Sequence, residues 1–472
     1  MDNDASSAVE YGIRVFYNHS RMNMDMLDPD EPIAALATPW GISALAVVRT
    51  TGIGCIDRLA DLFGSGKKLR AAPGGTAVYG TVRHPLTKAP ADRVVAVVFR
   101  GPASYTGQDA VDLCCHGGLA AVKKVLEALK AAGFRDAGPG EFTLRAFLNG
   151  KLDLTKAEAV NELITAKTRQ AHEMAFNRLS GAVWDRIETA KQGLVQALST
   201  IELSLDYPED EIDGQGDVPL ESVLSIRQDL AALSATYRTG RLFQEGIRLV
   251  LAGRTNAGKS SLFNLLLRED RAIVSEVHGT TRDYLESWIT IKGLPVLLFD
   301  TAGLRNSENP VEAEGIRRSG EVVAAADIIV YLVDSTVGIS SEDTGFLNNH
   351  GKRVLPVWSK TDLFSGAIPE GFLPLSTFTG DGREVLEQKI YETMLGTGTI
   401  EQTVIDSERQ KDCLDRAVSS LNEFIRGIDG QVPLDAAAYD LREAVTALGE
   451  VTGEVTSSDV LNLMFSRFCV GK

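Results

Sequence analysis

The segment GRTNAGKS, Gly253–Ser260, matches the phosphate-binding pattern G-x-x-x-x-G-K-[ST]. It follows an apolar strand-like segment and opens a helix-like one, which is the setting that a phosphate-binding loop requires. The alternative is a simple Gly-rich turn, which needs no such setting. Glycines let backbone N–H groups surround phosphate oxygens, and the helix N-terminus adds a partial positive charge. We expect Lys259 to reach the β- and γ-phosphates and the Ser260 hydroxyl to bind Mg²⁺. The nucleotide contacts expected from this loop are Asn256, Ala257, Gly258, Lys259, Ser260 and Ser261.

Two motifs downstream of this loop complete a pattern typical of nucleotide hydrolases. Asp300–Gly303 (DTAG) closes an apolar strand, where the carboxylate of Asp300 would hold Mg²⁺ through water and the N–H of Gly303 would contact the γ-phosphate. Gly279–Asp283 (GTTRD) lies in between, where a switch loop is expected, and Thr281 would add a second hydroxyl to Mg²⁺. Alone, GTTRD is a weak turn pattern, but its position between the phosphate loop and DTAG makes the assignment as a switch loop strong.

A third region carries residues suited to reading a purine base. Ser359–Asp362 (SKTD) follows the strand-like RVLPVW, and Leu375–Thr377 (LST) follows the next strand. Asp362 can accept both N1–H and N2–H of guanine, a pair that adenine does not offer, so a GTPase domain is predicted. The base contacts expected are Lys360, Asp362 and Ser376.

The base motif departs from the usual Asn-Lys-x-Asp at its first residue. The Asn normally contacts guanine N7 and also ties the base loop to the phosphate loop, and Ser359 is too short to do both. We therefore predict that guanine selectivity is kept while affinity falls by about 1–2 kcal/mol, the value of one lost hydrogen bond.

The elements that must position these motifs alternate between strand and helix from Gly246 onward. Their strands (IRLVLAG, LPVLLFD, IIVYLVD, RVLPVW) are apolar throughout, which predicts burial on both faces and a parallel, doubly wound sheet. Residues 32–150 instead alternate short apolar runs with Gly and Pro turns, and a helix is predicted at Ala120–Ala132. This pattern is typical of an α+β domain.

Long amphipathic helices are predicted on both sides of the α/β region. The segments Leu154–Leu179, Val183–Leu205, Ile400–Gly427 and Leu434–Gly453 carry apolar residues at helical spacing, and the acidic Asp206–Asp213 reads as a loop. The fold class is therefore multidomain α+β and α/β, with a Ras-like P-loop GTPase domain inserted into a discontinuous helical domain. The predicted domains are a disordered extension at 1–31, an N-terminal α+β domain at 32–149, a first helical segment at 150–244, the GTPase domain at 245–394 and a second helical segment at 395–472.

Composition excludes several classes of protein. The 48 Lys and Arg against 64 Asp and Glu give a formal charge of −16, which argues against wholesale coating of nucleic acid. Apolar runs such as Val94–Phe99 fall far short of the about 18 residues that a membrane span needs. The five cysteines are scattered, and no secretory signal precedes the first strand, so a cytoplasmic protein is expected. Residues before about Leu27 include a cluster of methionines and are either a loose extension or upstream of the true start.

The motif order GRTNAGKS, GTTRD, DTAGLR, SKTD resembles that of the translation-factor-related GTPases. One subgroup has an apolar residue after DxxG where a Ras-like protein has its water-orienting Gln, and Leu304 takes that place here. Three further segments, Pro139–Val160, Ser104–Gly118 and Phe465–Lys472, resemble the MnmE (TrmE) family of tRNA uridine-modification GTPases, within the TrmE-Era-EngA-like group. The resemblance runs from about residue 32 to the last residue.

The resemblance implies a homodimer whose GTPase domains meet across the nucleotides when K⁺ is bound. Asn256 matches the family's K⁺ ligand, and the water-orienting Glu matches Glu312, with Glu314 as a near neighbour. The alternative for Glu312, to which we give less weight, is a solvated Glu in the first turn of a helix. The switch-loop residues implied for GTP or K⁺ are Ser275, Val277 and Thr280, and the further catalytic candidates are Arg282 and Asp283.

The resemblance also implies that the N-terminal domain binds 5-formyl- or 5,10-methylene-tetrahydrofolate at the dimer interface. The matching residues are Arg49, Asp112, Lys151 and Lys472. A cation can hold the glutamate tail and a carboxylate the pterin N–H groups, although Asp112 is one methylene shorter than the family's usual Glu. Arg49 is otherwise a surface charge, and Arg145 and Asp153 are equally structural ion-pair residues.

Cys469 lies in the terminal FCVGK, which matches a motif that the family needs for tRNA modification. Three interpretations stay open: a catalytic thiol, a residue that positions the tail, or a small buried hydrophobe. Cys114 and Cys115 are expected in the core, and His116 is expected to be structural.

As a whole, the resemblance implies a K⁺-dependent GTPase that acts in a heterotetramer with an FAD-dependent subunit of the MnmG/GidA type. The complex would add an aminomethyl-type group, such as carboxymethylaminomethyl, to C5 of the wobble uridine of tRNA. The charge of −16 assigns most tRNA contacts to the partner. The alternative is a GTP-switched ribosome-assembly factor, which usually carries a basic RNA-binding domain; a plain P-loop ATPase would leave DTAG and SKTD unexplained.

Overall fold

The structure of the protein is a computed structural model that describes residues 28–206, 219–269, 285–300, 321–397 and 403–472. The described residues form two compact units. The first unit comprises the residues up to Asn161 together with Thr452–Lys472, and the second comprises Glu162–Val451.

The first unit is built on a six-stranded sheet with strand order β3-β4-β5-β2-β1-β6. Only the short β1–β6 pair is parallel; the other strand pairs described in this sheet are antiparallel. The strands are β1 (Ile33–Leu36), β2 (Leu45–Thr51), β3 (Thr76–Arg83), β4 (Pro90–Phe99), β5 (Ala110–His116) and β6 (Arg135–Asp136). The α+β pattern predicted for this region of the chain is confirmed.

Helices cover one face of this sheet. They are α1 (Cys55–Leu62), α2 (Gly66–Ala71) and α3 (Leu119–Ala131), and α3 lies where a helix was predicted. Alternate strand residues such as Val48 and Leu113 pack with Leu59 and Val125 of the helices in one buried core. A second core in this unit joins α4 (Glu141–Leu148) and α5 (Leu154–Thr165) to α15 (Ser458–Phe465) near the C-terminus.

The second unit contains another six-stranded sheet, with order β12-β11-β10-β7-β9-β8. All neighbours described in it are parallel except the edge strand β8, which is antiparallel to β9. The strands are β7 (Ile247–Gly253), β8 (Leu285–Ile291), β9 (Leu294–Asp300), β10 (Ile328–Asp334), β11 (Val354–Ser359) and β12 (Leu373–Leu375). Leu249 and Leu251 pack in one core, while Val250 and Ala252 pack in another on the opposite face. The predicted doubly wound α/β fold is confirmed.

The remaining helices described in the second unit fall into two groups: three that accompany the sheet and six that form a helical region. The former are α10 (Lys259–Glu269), α11 (Ser341–His350) and α12 (Arg383–Leu395). The helical region is α6 (Arg169–Leu179), α7 (Ala182–Asp206), α8 (Leu220–Ala235), α9 (Tyr237–Glu245), α13 (Glu408–Asp429) and α14 (Leu434–Thr452). Its core contains Ile187, Leu230 and Leu421.

Two predicted helices differ from the observed ones. The first, Leu154–Leu179, is broken between α5 and α6, because Thr168 adopts an extended conformation and its side chain caps α6 by accepting from the N–H of Ala171. The second was predicted from Ile400, yet α13 begins at Glu408.

Residues 403–407, which precede α13, are non-helical. The buried Arg178 of α6 ion-pairs with Asp406 at 2.8 Å and donates to the carbonyl of Val404 at 3.2 Å, while the N–H of Ile405 donates to the hydroxyl of Thr236. These contacts take the main-chain groups that a helix would use. The acidic segment predicted as a loop lies, after Asp206, outside the described residues.

Among the helices of the ranges described above, none has the length and apolar character needed to cross a membrane.

Candidate functional site

The phosphate loop joins the end of β7 to the start of α10. Gly253 has φ 133°, and a Cβ there would lie 2.3 Å from the carbonyl oxygen of Leu332 on β10, so only glycine fits. Gly258 has φ 99° and Asn256 has φ 63°, a left-handed conformation that is uncommon outside glycine. Ala257 is buried, and Ser261 is the third residue of α10.

Lys259 and Ser260 lie at the first turn of α10. Lys259 is only 7% exposed, and its ammonium donates to the carbonyls of Gly253 at 2.9 Å and Arg254 at 2.7 Å. The ammonium is therefore held against the loop. The hydroxyl of Ser260 donates to Oδ2 of Asp300 at 2.9 Å, because β7 and β9 are neighbours that end side by side. A hydroxyl beside a carboxylate is the hard oxygen set that Mg²⁺ takes.

The predicted base-binding residues meet at the ends of β11 and β12. Lys360 has φ 60°, and its ammonium contacts Oδ2 of Asp334 at 2.5 Å. Burial would raise the pKa of Asp334, but the hydrogen bonds from Lys360 and Thr336 hold that pKa below its ordinary value. Oδ1 of the exposed Asp362 accepts from the hydroxyl of Ser376 at 2.6 Å.

Asp334 was not among the residues predicted from the sequence. The pattern that could have identified it is its place at the end of the apolar run IIVYLVD, which corresponds to the place of Asp300 at the end of LPVLLFD. It orients the Lys360 side chain.

Ser359 ends β11 beside the phosphate loop. Its hydroxyl lies 2.7 Å from the carbonyl oxygen of Ala257 and 3.0 Å from that of Val333. Of the two contacts that the usual Asn makes, the connection to the phosphate loop is therefore retained.

Several predicted residues lie outside the stretches of chain that the structure describes. They are Ser275, Val277, Thr280, Thr281, Arg282, Asp283, Gly303, Leu304, Glu312 and Glu314.

In the first unit, Arg49 and Asp112 lie directly opposite each other on β2 and β5. Nε of Arg49 is 3.1 Å from Oδ1 of Asp112, and its Nη1 donates to the carbonyl of Gly471 at 3.3 Å. Arg49 is thus not an isolated surface charge. It joins the central sheet to the C-terminal residues.

The C-terminal residues Phe468–Lys472 form a tail that hydrogen-bonds to the start of α4. The N–H of Gly140 donates to the carbonyl of Cys469 at 3.3 Å, and the N–H of Phe142 to that of Lys472 at 3.1 Å. Gly471 has φ 91°, and a Cβ there would lie 2.9 Å from the carbonyl oxygen of Leu36.

Cys469 of this tail is exposed, so the interpretation as a buried hydrophobe was wrong. Lys472 is half-buried. Burial, followed by the charge of Arg49, lowers the pKa of Lys472, and the charge of Asp112 opposes that shift. We call Arg49, Asp112, Gly471 and Lys472 the tail site.

Lys151, the fourth residue assigned to folate, lies beside Gly107, where a Cβ on that glycine would be 3.4 Å from the Cε of Lys151.

Cys115 is buried, and burial raises the pKa of its thiol to about 11, whereas Cys114 is half-buried. His116 is exposed and its Nδ1 contacts Oδ1 of Asp92 at 2.8 Å.

Arg145 and Asp153 have structural contacts. Arg145 and Glu141 form an ion pair at 2.8 Å in which both side chains are 1% exposed. Asp153 precedes α5 and accepts from the N–H of Lys156 at 3.0 Å, as a helix cap does.

Comparison with known proteins shows which family the chain resembles. Two family models match the chain: that of the MnmE helical domain over residues 154–469, and that of the GTP-binding protein TrmE N-terminus over residues 32–151. The tRNA modification GTPase MnmE of Treponema denticola is 41% identical over 463 residues, covering 94% of this chain and 98% of that protein. The protein of the same name from Carboxydothermus hydrogenoformans is 39% identical over 460 residues, covering 94% of this chain and 100% of that protein. With both models matched and identity this high over almost the whole length, the chain belongs to the MnmE family of tRNA modification GTPases.

Proposed function

We propose that this GTPase uses a K⁺-dependent hydrolytic cycle, together with a folate one-carbon unit and an FAD-dependent partner, to add an aminomethyl-type group at C5 of the wobble uridine of tRNA. The observation that carries the proposal is that one chain holds both a phosphate loop with its base loop and, in its other unit, a C-terminal tail bonded to Arg49. A switch that only binds RNA would need the nucleotide site but would have no use for the second site.

The nucleotide site consists of Gly253–Ser261, Asp300, Lys360, Asp362 and Ser376. The hydroxyl of Ser260 and the carboxylate of Asp300 would hold Mg²⁺, directly and through water, with Thr281 as the second hydroxyl. The side-chain oxygen of Asn256 suits a monovalent cation, and Ser275, Val277 and Thr280 would complete that site. A bound cation supplies positive charge beside the phosphates.

The protein's own groups would then divide the work on GTP. Lys259 neutralises the phosphates, while Asp362 fixes the base and thereby the position of the γ-phosphate. Glu312 would orient the attacking water in place of a Gln, since Leu304 follows DTAG. Arg282 and Asp283 would stabilise the closed switch loop.

The tail site supplies chemistry that suits a reduced folate. The guanidinium of Arg49 and the ammonium of Lys472 can bind carboxylates of a glutamate tail, and Asp112 can accept N–H groups of the pterin ring. The opposite charges of Arg49 and Asp112 lie 3.1 Å apart, so both can face one ligand. Lys151, beside Gly107, would extend the site, and the exposed thiol of Cys469 lies in the same tail.

A sheet face with exposed apolar residues supports a homodimer with this site at its interface. Register places Tyr79, Val95, Cys114 and Val47 in one row across four strands, adjacent to the row that contains Asp112 and Arg49. This row lies on the face opposite α1, α2 and α3, and Tyr79 is 64% exposed. An apolar strip of this kind is what a second copy would cover.

The partner would supply the flavin chemistry and most of the tRNA contacts. A net charge of −16 leaves this chain a poor match for tRNA phosphates.

Nucleoside analysis of tRNA tests the proposal. In a strain that lacks the gene, the C5-modified wobble uridine should disappear, and the wild-type gene should restore it. If the strain that lacks the gene keeps its modified wobble uridine, the result would contradict the proposal and favour the ribosome-assembly alternative.

A further inference from the structure

Ser359 sits between the phosphate loop and the base loop. It is 1% exposed, and its hydroxyl lies within hydrogen-bond distance of the carbonyl oxygens of Ala257 and Val333, at 2.7 and 3.0 Å. Both groups are acceptors. A hydroxyl has one proton, so Ser359 donates that proton to a main-chain carbonyl and has none for another acceptor.

The base loop is held in place by several contacts besides that of Ser359. The hydroxyl of Ser335 donates to the carbonyl of Lys360 at 2.9 Å, and its N–H donates to the carbonyl of Ser359 at 3.0 Å. The ammonium of Lys360 contacts Asp334 at 2.5 Å. The loop position therefore does not require a longer side chain at 359.

Reading of the base is a separate matter from holding the loop. N7 of guanine is an acceptor and can be read only by a donor. An Asn amide has two N–H donors besides its oxygen, so it can bond to the loop and to N7 at once, whereas Ser359 cannot. The carboxylate of Asp362 accepts one bond from Ser376 and keeps lone pairs for N1–H and N2–H of guanine.

We propose that Ser359 acts as a positioning residue that ties the base loop to the phosphate loop, and that this chain leaves N7 of its nucleotide unread. Specificity for guanine then rests on Asp362. The inference rests on the proposed position of the base at Asp362. Its consequence is that an analogue altered only at N7 binds as GTP does.

The test compares GTP with 7-deaza-GTP, in which N7 is a C–H group, by competition against a fluorescent GTP analogue on the full-length protein. For the wild type, the two dissociation constants should agree within about twofold, because no hydrogen bond to N7 is lost. For Ser359→Asn, GTP should be preferred by about three- to tenfold, the value of one gained hydrogen bond. For Ser359→Ala, both should weaken by a similar factor because the loop connection is lost.

A wild-type preference for GTP of about threefold or more would overturn the inference, since that is the smallest preference expected from one hydrogen bond to N7. Equal binding of both nucleotides by Ser359→Asn, in a variant that still binds GTP, would overturn the assignment to residue 359. ITP, which lacks the 2-amino group, and ATP serve as separate arms. If ATP competes as well as GTP, the proposed guanine site itself fails, and that result is distinct from either outcome at N7.

Discussion

The nucleotide site and the tail site are assembled from the chain in different ways. The nucleotide site takes its residues from the adjacent ends of parallel strands, and its phosphate loop and base loop contain residues at positive φ, among them Gly253, Asn256 and Lys360. The tail site joins residue 49, residue 112 and the last two residues through cross-strand register and main-chain carbonyls. Local motifs build the nucleotide site, whereas the tail site exists only once the unit that contains it has folded. Changes in the nucleotide site should therefore act on chemistry, and changes around the tail site should act first on structure.

The largest effect is expected from Lys259→Ala in the nucleotide site. Removing a buried ammonium held at the phosphate loop should reduce GTP hydrolysis by about 10²–10³-fold, the usual cost of losing one preorganised electrostatic contact. Lys389→Ala is the matched control, because this lysine is exposed on α12, and it should hydrolyse GTP at the wild-type rate. Retention of more than about a tenth of the rate by Lys259→Ala would show that the loop is not the phosphate site.

A second test separates the cation from general salt effects. Hydrolysis in KCl should be roughly tenfold or more faster than in NaCl at equal ionic strength, because a bound cation takes the role that an arginine plays in other GTPases. Glu312→Ala should lose this stimulation and Glu314→Ala should keep it. Equal slow rates of the wild type in both salts would contradict the roles of Asn256 and Glu312.

Glu141→Gln should damage the first unit without touching the nucleotide site. Glu141 is 1% exposed and accepts from Arg135 at 2.6 Å and from Arg145 at 2.8 Å, so its neutralisation removes the counter-charge of the buried Arg145 guanidinium at a cost of about 3–5 kcal/mol. Hydrogen exchange followed by peptide should accelerate in β2, β5 and α4 and stay unchanged in β7 and β10. The exposed Arg70→Ala is the control and should leave every peptide unchanged.

The same carboxylate predicts a pH dependence. Burial would raise the pKa of Glu141, but Arg135 and the N–H of Gly138 hold that pKa below its ordinary value of 4.5. Its stabilising contribution is therefore complete above that value and is lost as the pH falls through the lowered pKa. If acid reduces the hydrogen-exchange protection of the first unit no more in the wild type than in Glu141→Gln, the result would contradict this prediction.

The smallest effect is expected at Lys472. Its pKa is lowered by burial and then by Arg49, so Arg49→Ala should raise that pKa toward 10.5 and Asp112→Asn should lower it further. Because the folded pKa lies below the unfolded one, docking of the tail should strengthen as the pH rises between the two values. NMR titration of ¹³C-methylated lysines measures both shifts. An unchanged pKa of Lys472 in Arg49→Ala would show that the charge of Arg49 does not act on Lys472.

Local motifs explain why so much of the nucleotide site could be predicted from the sequence. Each of β7, β9, β10 and β11 is an apolar run that ends in, or is followed in the sequence by, polar residues or glycine, and parallel strands bring such ends to one edge. The contact of Ser359 with Ala257 could not be predicted, because whether a short side chain reaches a loop 102 residues away depends on the spacing of the strands.

The tail site could be predicted only through family resemblance. The periodicity of β2 and β5 indicates strands, but it does not give the register that sets Arg49 opposite Asp112. In the same way, helical spacing continues through residues 403–407, whereas the contacts with Arg178 and Thr236 keep that segment out of α13.

The most direct test of the account combines two readouts on one variant, Arg49→Ala. If the two sites are built independently and serve one reaction, this variant hydrolyses GTP in KCl at the wild-type rate, while tRNA from a strain carrying it lacks the C5-modified wobble uridine. Lys259→Ala, as the converse, loses both. Normal wobble-uridine modification in the Arg49→Ala strain would contradict the account.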